Sequence, residues 1–182
     1  VAPRSVIILF IALLFGLATP FGIIYLMEIL DTTIRGRKDI EDKLSIPFLG
    51  DIPEYHGSTR QGSVVVRDNG RDSVSEAFRL IRSNLGFMSV KSGKLQIIMV
   101  TSSNPHAGKT FVTTNLAMTL ALADKKVVIV DLDLRRRTLS KQMGQRDNRN
   151  GVSGYSSGTI ANLNDIVFQS GLHENLDIIF AG

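Results

Sequence analysis

An α/β fold, a parallel sheet with flanking helices behind one membrane-crossing helix, is what this sequence predicts, and three observations carry the prediction. Residues Ser5–Met27, SVIILFIALLFGLATPFGIIYLM, run 23 residues without a charge. Between Leu95 and Asp131 an apolar strand pattern, a polar loop, a helical stretch and a second apolar strand pattern follow one another. The loop reads SNPHAGKT, Ser103 to Thr110, and its glycine-lysine-threonine ending falls between strand and helix, where phosphate-binding loops occur.

The uncharged run comes first. As a helix it spans roughly 35 Å, enough for the hydrocarbon core of a bilayer. A signal peptide has an apolar core of about 7–15 residues ending at a small-residue cleavage site. This run is longer and continues into EILDTTIRGRKDIEDK, so a retained transmembrane helix is predicted over 1–30. Arg35, Arg37, Lys38 and Lys43 follow it and Arg4 alone precedes it, which puts the C-terminal side in the cytoplasm by the positive-inside bias. Pro20 inside the run is tolerable in a membrane helix and predicts a kink. The chain begins at Val1 rather than methionine and is expected to start inside a longer polypeptide.

A tether over 31–71 follows. Pro47 and Pro53 frame LSIPFLGDIPEYHG, which reads as a strand or extended segment, and GSTRQGSVVVRDNGRD reads as a loop with one short strand. From Ser73 the period becomes helical: Val74, Phe78, Ile81 and Leu85 fall at i, i+4, i+7 and i+11, one apolar stripe. Leu95 to Val100 reads as a buried strand, TFVTTNLAMTLALA as a helix and KVVIVD as a second buried strand. Strand, loop, helix and strand within about forty residues make a βαβ unit, hence a parallel sheet with a right-handed crossover.

Composition narrows the function. There is no cysteine among the 182 residues, which removes disulfides, thiolate metal sites and cysteine nucleophiles and suits a cytoplasmic soluble part. The net charge of +4 comes from basic residues that are scattered or lie beside the membrane run, so anionic lipid headgroups, not nucleic acid, are the expected counter-charge. His56 and His173 lie far from His106 in sequence and show no metal-ligand spacing.

The loop Ser103, Asn104, Pro105, His106, Ala107, Gly108, Lys109 and Thr110, with Phe111 opening the helix, is the candidate nucleotide-binding set, with serine in place of the usual first glycine. Its backbone N–H groups face an anion, Lys109 supplies charge to the outer phosphates, and Thr110 supplies a hydroxyl for Mg²⁺. Asp131 and Asp133 alternate at the carboxyl end of the second strand, 22 and 24 residues after Lys109, where both can approach phosphates and metal. One carboxylate can fix Mg²⁺ or its waters and the other accept a proton; spacing alone does not divide the two roles. Among Arg135–Arg137, Arg135 is expected near phosphate and the others solvated. His106 reads as a tolerated loop residue, not a catalytic base.

TSSNPHAGKT followed by VVIVDLDLRR resembles the Walker A and Walker A′ pair of the bacterial protein-tyrosine kinases (BY-kinases) that accompany capsule and exopolysaccharide assembly. The resemblance extends over nearly the whole chain through IPFLGDIP, SEAFRLIRSNLGF and the ending ENLDIIFAG. It implies a P-loop NTPase-type kinase domain, with 72–182 its N-terminal part, ATP and Mg²⁺ as cofactors, and Lys109, Asp131 and Asp133 as catalytic residues. It implies location in the bacterial inner membrane with the kinase part cytoplasmic, a homo-oligomeric ring, partners in the polysaccharide polymerase and export machinery, and an opposing tyrosine phosphatase. Glu76, Arg79 and Arg82 match the family's E-x-x-R-x-x-R motif, which implies an oligomerisation role. Read from residues alone, their i, i+3, i+6 spacing fits equally a solvated face with one ion pair.

Two departures qualify the resemblance. His106 and Ala107 stand where the family has glycine and an acidic or small residue. After Asp133 no second apolar run ends in aspartate, and Tyr25, Tyr55 and Tyr155 form no cluster, so a partial kinase domain is expected. Two other readings stay open. A partitioning-type ATPase usually has an extra lysine where Ser103 and Asn104 stand; a non-catalytic co-polymerase scaffold is compatible with the composition.

Overall fold

The computed structural model describes residues 5–31, 33, 36–42, 44–57, 64–89, 95–143 and 150–182. Arg4, Arg35 and Lys43, on which the expected membrane orientation partly rests, lie outside the described residues. The chain divides into two compact units, Val1–Phe48 and Leu49–Gly182.

The first unit holds helix α1, Ser5–Leu30, and the short α2, Arg37–Glu41. Helix α1 has a mean hydropathy of 2.6 and no buried residue, and by length and composition it is long and apolar enough to cross a membrane. Pro20 donates no N–H within it, and the Thr19 hydroxyl donates to Phe15 O at 2.6 Å one turn back. In α2, Arg37 pairs with Glu41 at 2.7 Å and its guanidinium lies 5.7 Å from the Phe48 ring centroid.

The second unit opens with an extended strap that leads into α3, Ser73–Ser89. Asp72 starts that helix: its carboxylate accepts from Ser75 N–H at 2.9 Å and Ser75 Oγ at 2.7 Å, satisfying first-turn donors. The Ser75 hydroxyl bond holds the Asp72 carboxyl below its ordinary range, and burial opposes this more weakly. The predicted stripe is the buried face, with Val74, Phe78 and Ile81 enclosed and Leu85 packed against them. They meet α4, Lys109–Ala121, through Leu116, Phe111 and Val112, with the Phe78 and Phe111 rings 6.0 Å apart.

The strap is fastened to the same two helices. Asn115 of α4, fully buried, accepts Val65 N–H at 2.7 Å and Val66 N–H at 3.1 Å and donates to Phe111 O at 2.8 Å. From α3, Asn84 donates to Leu49 O at 2.8 Å. Val66, 2% exposed, completes the apolar cluster. Neither 45–56 nor 64–67 forms a strand; both run without ladder partners.

The sheet is mixed, not all parallel. Strand β1, Val127–Val130, pairs parallel with β3, Leu176–Ile179, in the register Val127 to Leu176 through Val130 to Ile179. Strand β2, Val167–Gln169, pairs antiparallel with β3, giving the order β1-β3-β2. Helix α4 covers β1 and β3, and Ala117, Ala121, Ile129, Leu139, Leu176, Ile178 and Phe180 form the second core. The short α5, Thr138–Gln142, contributes Leu139. Helix α6, Val152–Ser156, returns the chain to the sheet, with Val152 N–H bonded to Phe180 O at 2.9 Å. Gly151 permits that approach, since a Cβ there would stand 2.4 Å from Phe180 O.

Two further expectations are corrected. Strand β1 is only half buried, with Val128 48% and Val130 44% exposed. Residues 95–100 are extended but not a buried strand: Ile97 is 87% and Met99 81% exposed, and the segment makes no ladder with the described sheet. An apolar run becomes a strand only where another strand accepts its N–H and C=O groups. Among the described residues none lies beside it, so the parallel pair is β1 with β3 and not 95–100 with β1.

Candidate functional site

Helix α4 begins where the sequence pattern places its first turn. Gly108, its N-cap, is left-handed with φ 83° and ψ 14°, a conformation glycine adopts without steric cost, and no side chain caps the helix. The unpaired first-turn N–H groups and the positive end of the helix dipole therefore face outward together, which suits an anion.

Lys109 is folded back over the loop. Its ammonium donates to Ser102 Oγ at 2.8 Å and to Asn104 O at 3.4 Å, while the Ser102 hydroxyl donates to Asn104 O at 2.8 Å. Neutral acceptors hold the lysine in place without cancelling its charge, so exchange for a phosphate oxygen gains a charge-assisted bond. Ser103, Asn104, Pro105, His106, Ala107 and Gly108 are exposed, and Thr110 and Phe111 are half-buried. His106 has φ 62°, unusual for a residue with a Cβ. Thr113 and Thr114 return their hydroxyls to Lys109 O and Thr110 O at 2.9 and 2.8 Å, which ties down the turn that carries Lys109 and Thr110.

The two carboxylates leave β1 in different surroundings. Asp131 is 7% exposed, and its N–H extends the parallel ladder to Ile179 O at 2.9 Å. Its Oδ1 accepts Asp133 N–H at 3.0 Å, and Ser140 Oγ stands 3.4 Å from Oδ2. Burial raises the Asp131 pKa above the ordinary carboxylate value and the like charge of Asp133 adds to this, while the bonds from Asp133 N–H and Ser140 lower it. Asp133 is exposed and caps a tight turn, accepting Arg136 N–H at its Oδ1 and Arg137 N–H at its carbonyl, both at 2.9 Å.

The fit to Mg²⁺ rests on this donor set. Thr110 and Asp131 offer hard oxygens, and no cluster of three or more metal-ligating side chains occurs among the described residues. Mg²⁺ usually takes one or two carboxylates together with substrate phosphates and water, so an all-protein cage is not required.

Of the three basic residues after Asp133, Arg136 is the one in contact with the loop, Nη1 lying 3.4 Å from His106 Nε2. Glu76, Arg79 and Arg82 are engaged inside the protomer. Glu76 and Arg79 pair at 2.5 Å, Arg79 donates to Asp68 O at 3.2 Å, and Arg82 donates to Thr119 O of α4 at 3.1 Å. Ser102, Asn115 and Ser140 were not named by pattern reading, and Arg136, expected to be solvated, lies against His106. The one signal for Asn115 was a lone amide in an apolar helix.

Residues 98–179 match the family model described as the CobQ/CobB/MinD/ParA nucleotide binding domain. A putative tyrosine-protein kinase in the cps region of Klebsiella pneumoniae is 27% identical over 175 residues, covering 88% of this chain and 24% of that protein. Tyrosine-protein kinase etk of Escherichia coli K12 is 40% identical over 91 residues, covering 50% of this chain and 12% of that protein. The chain thus spans a quarter or less of these two relatives. Among solved structures, the kinase domain of Escherichia coli tyrosine kinase ETK superposes with a TM-score of 0.70 at 28% identity, over 82% of this chain and 60% of that one.

Proposed function

We propose that this chain is a membrane-anchored, ATP-dependent tyrosine autokinase of the bacterial tyrosine-kinase family, acting in capsular or exopolysaccharide polymerisation and export. The reading rests on an uncapped, glycine-started helix whose first turn bears Lys109 and on the two carboxylates that follow the strand this helix packs against.

The reaction breaks the bond between the γ-phosphorus of ATP and its bridging oxygen and forms a bond to a tyrosine oxygen on a neighbouring subunit. The loop N–H groups and Lys109 hold and neutralise the phosphates, which aligns the γ-phosphoryl for in-line attack. Thr110 and Asp131 would hold Mg²⁺, which when bound neutralises phosphate charge. Asp133 is the proton acceptor for the tyrosine hydroxyl, because a bulky side chain from another subunit reaches its exposed carboxylate and not the 7%-exposed Asp131. Helix α1 anchors the protein in the bacterial inner membrane with the kinase part cytoplasmic. A ring of protomers, the polysaccharide machinery and an opposing phosphatase are its expected partners.

The test is incubation of the full-length protein with Mg²⁺ and ATP, followed by anti-phosphotyrosine detection. Phosphotyrosine in the wild type that disappears in Lys109→Met supports the kinase. Its absence from both favours a scaffold, and its persistence in Lys109→Met contradicts the assigned site.

A further inference from the structure

We propose that Arg136 is a further phosphate-binding residue of this site, reaching the loop from the turn after β1 and held at the loop tip by His106. The proposal rests on the nucleotide-binding reading above and deepens it.

The geometry is set on both sides. Asp133 fixes the turn by accepting from Arg136 N–H and Arg137 N–H at 2.9 Å each, and Arg137 takes a left-handed φ of 51°. From this turn the Arg136 guanidinium crosses to His106, Nη1 to Nε2 at 3.4 Å. Because the guanidinium only donates, the imidazole takes part in this contact as an acceptor through Nε2.

Among the described residues no carboxylate forms an ion pair with the Arg136 guanidinium: the pairs are Arg37 with Glu41, His56 with Glu54 and Arg79 with Glu76. The loop tip needs such a cation, since Pro105–Ala107 contain no lysine or arginine and Lys109 is drawn inward onto Ser102 and Asn104. A single imidazole nitrogen engages one of five guanidinium N–H groups. A phosphate takes two of the remaining N–H groups at once in a bidentate, charge-assisted contact while His106 keeps its own, so the held guanidinium favours nucleotide binding. His106 acts through Arg136 and is a positioning residue.

Calorimetric titration of the full chain in lipid nanodiscs with Mg²⁺·ADP and with Mg²⁺ and a non-hydrolysable ATP analogue tests this. Arg136→Ala and Arg136→Gln are expected to weaken binding roughly tenfold, and Lys125→Ala, the same charge removed from an exposed turn, by less than about twofold. His106→Ala is expected to weaken binding about threefold in the wild type and to add nothing in the Arg136→Ala background. Wild-type affinity in both Arg136 variants overturns the phosphate contact, and an equal His106→Ala effect in both backgrounds overturns its positioning role. Failure of the wild type to bind either nucleotide removes the nucleotide reading itself, an outcome distinct from the first two.

Discussion

Asp131 sits in a conflict that its surroundings resolve only in part. Burial raises its pKa above the ordinary value, so the folded protein holds the proton more tightly than the unfolded chain. Such a group favours folding below the unfolded carboxylate pKa of about 3.9 and loses that contribution as pH rises through the folded value. At pH 7 the ionised carboxylate therefore costs stability. Asp131→Asn is expected to raise the thermal midpoint at pH 7 by a few degrees, about 2–4 °C per kcal/mol, and the gain should vanish as the buffer approaches pH 4; scanning calorimetry across that range reads both. Lys109, Thr110 and the two aspartates could be singled out from the sequence because their pattern is local, a loop and a strand end. Ser102, Ser140 and Arg136 were not, because a hydroxyl or guanidinium acquires its role from a partner that only the fold brings near. Arg136, expected to be solvated from the sequence, shows this through its contact with His106.

At the scale of elements, α4 does two jobs: its first turn carries the phosphate loop and its middle holds the strap. Asn115→Ala leaves the Val65 and Val66 N–H groups without their acceptor and is expected to cost about 2–4 kcal/mol. Hydrogen exchange should quicken first at residues 64–66, ahead of the sheet. Phe78→Ala empties the centre of the α3–α4 contact, and a loss of about 3–5 kcal/mol is expected in chemical denaturation. The stripe of α3 was readable because a helix makes its own hydrogen bonds and only its buried face depends on neighbours. The segment 95–100 was misread for the opposite reason: strand identity depends on a neighbouring strand, which composition does not reveal. Strand β3, short and interrupted by Asp177, escaped the pattern although it is the central strand of the described sheet.

At the scale of the whole molecule, a 26-residue helix free of buried residues predicts that the protein stays with the membrane fraction after alkaline carbonate extraction, and release into the supernatant would remove the anchor. The E-x-x-R-x-x-R residues carry two separable roles. Arg82→Ala should lower stability by about 1 kcal/mol through its lost bond to Thr119 O. Glu76→Ala, at a 61%-exposed side chain, should stay within about 0.5 kcal/mol of wild type. If Glu76 serves the proposed ring, mass photometry of Glu76→Ala will nonetheless show smaller particles. The kinase reading presupposes that the loop from Ser103 to Thr110 holds nucleotide phosphate through Lys109. Titration of the full chain with Mg²⁺·ADP, wild type against Lys109→Met, measures that directly. Saturable one-to-one binding weakened about 10- to 150-fold by the substitution, as expected for losing a charged hydrogen bond, is the predicted result, and equal affinities in the two proteins would contradict it.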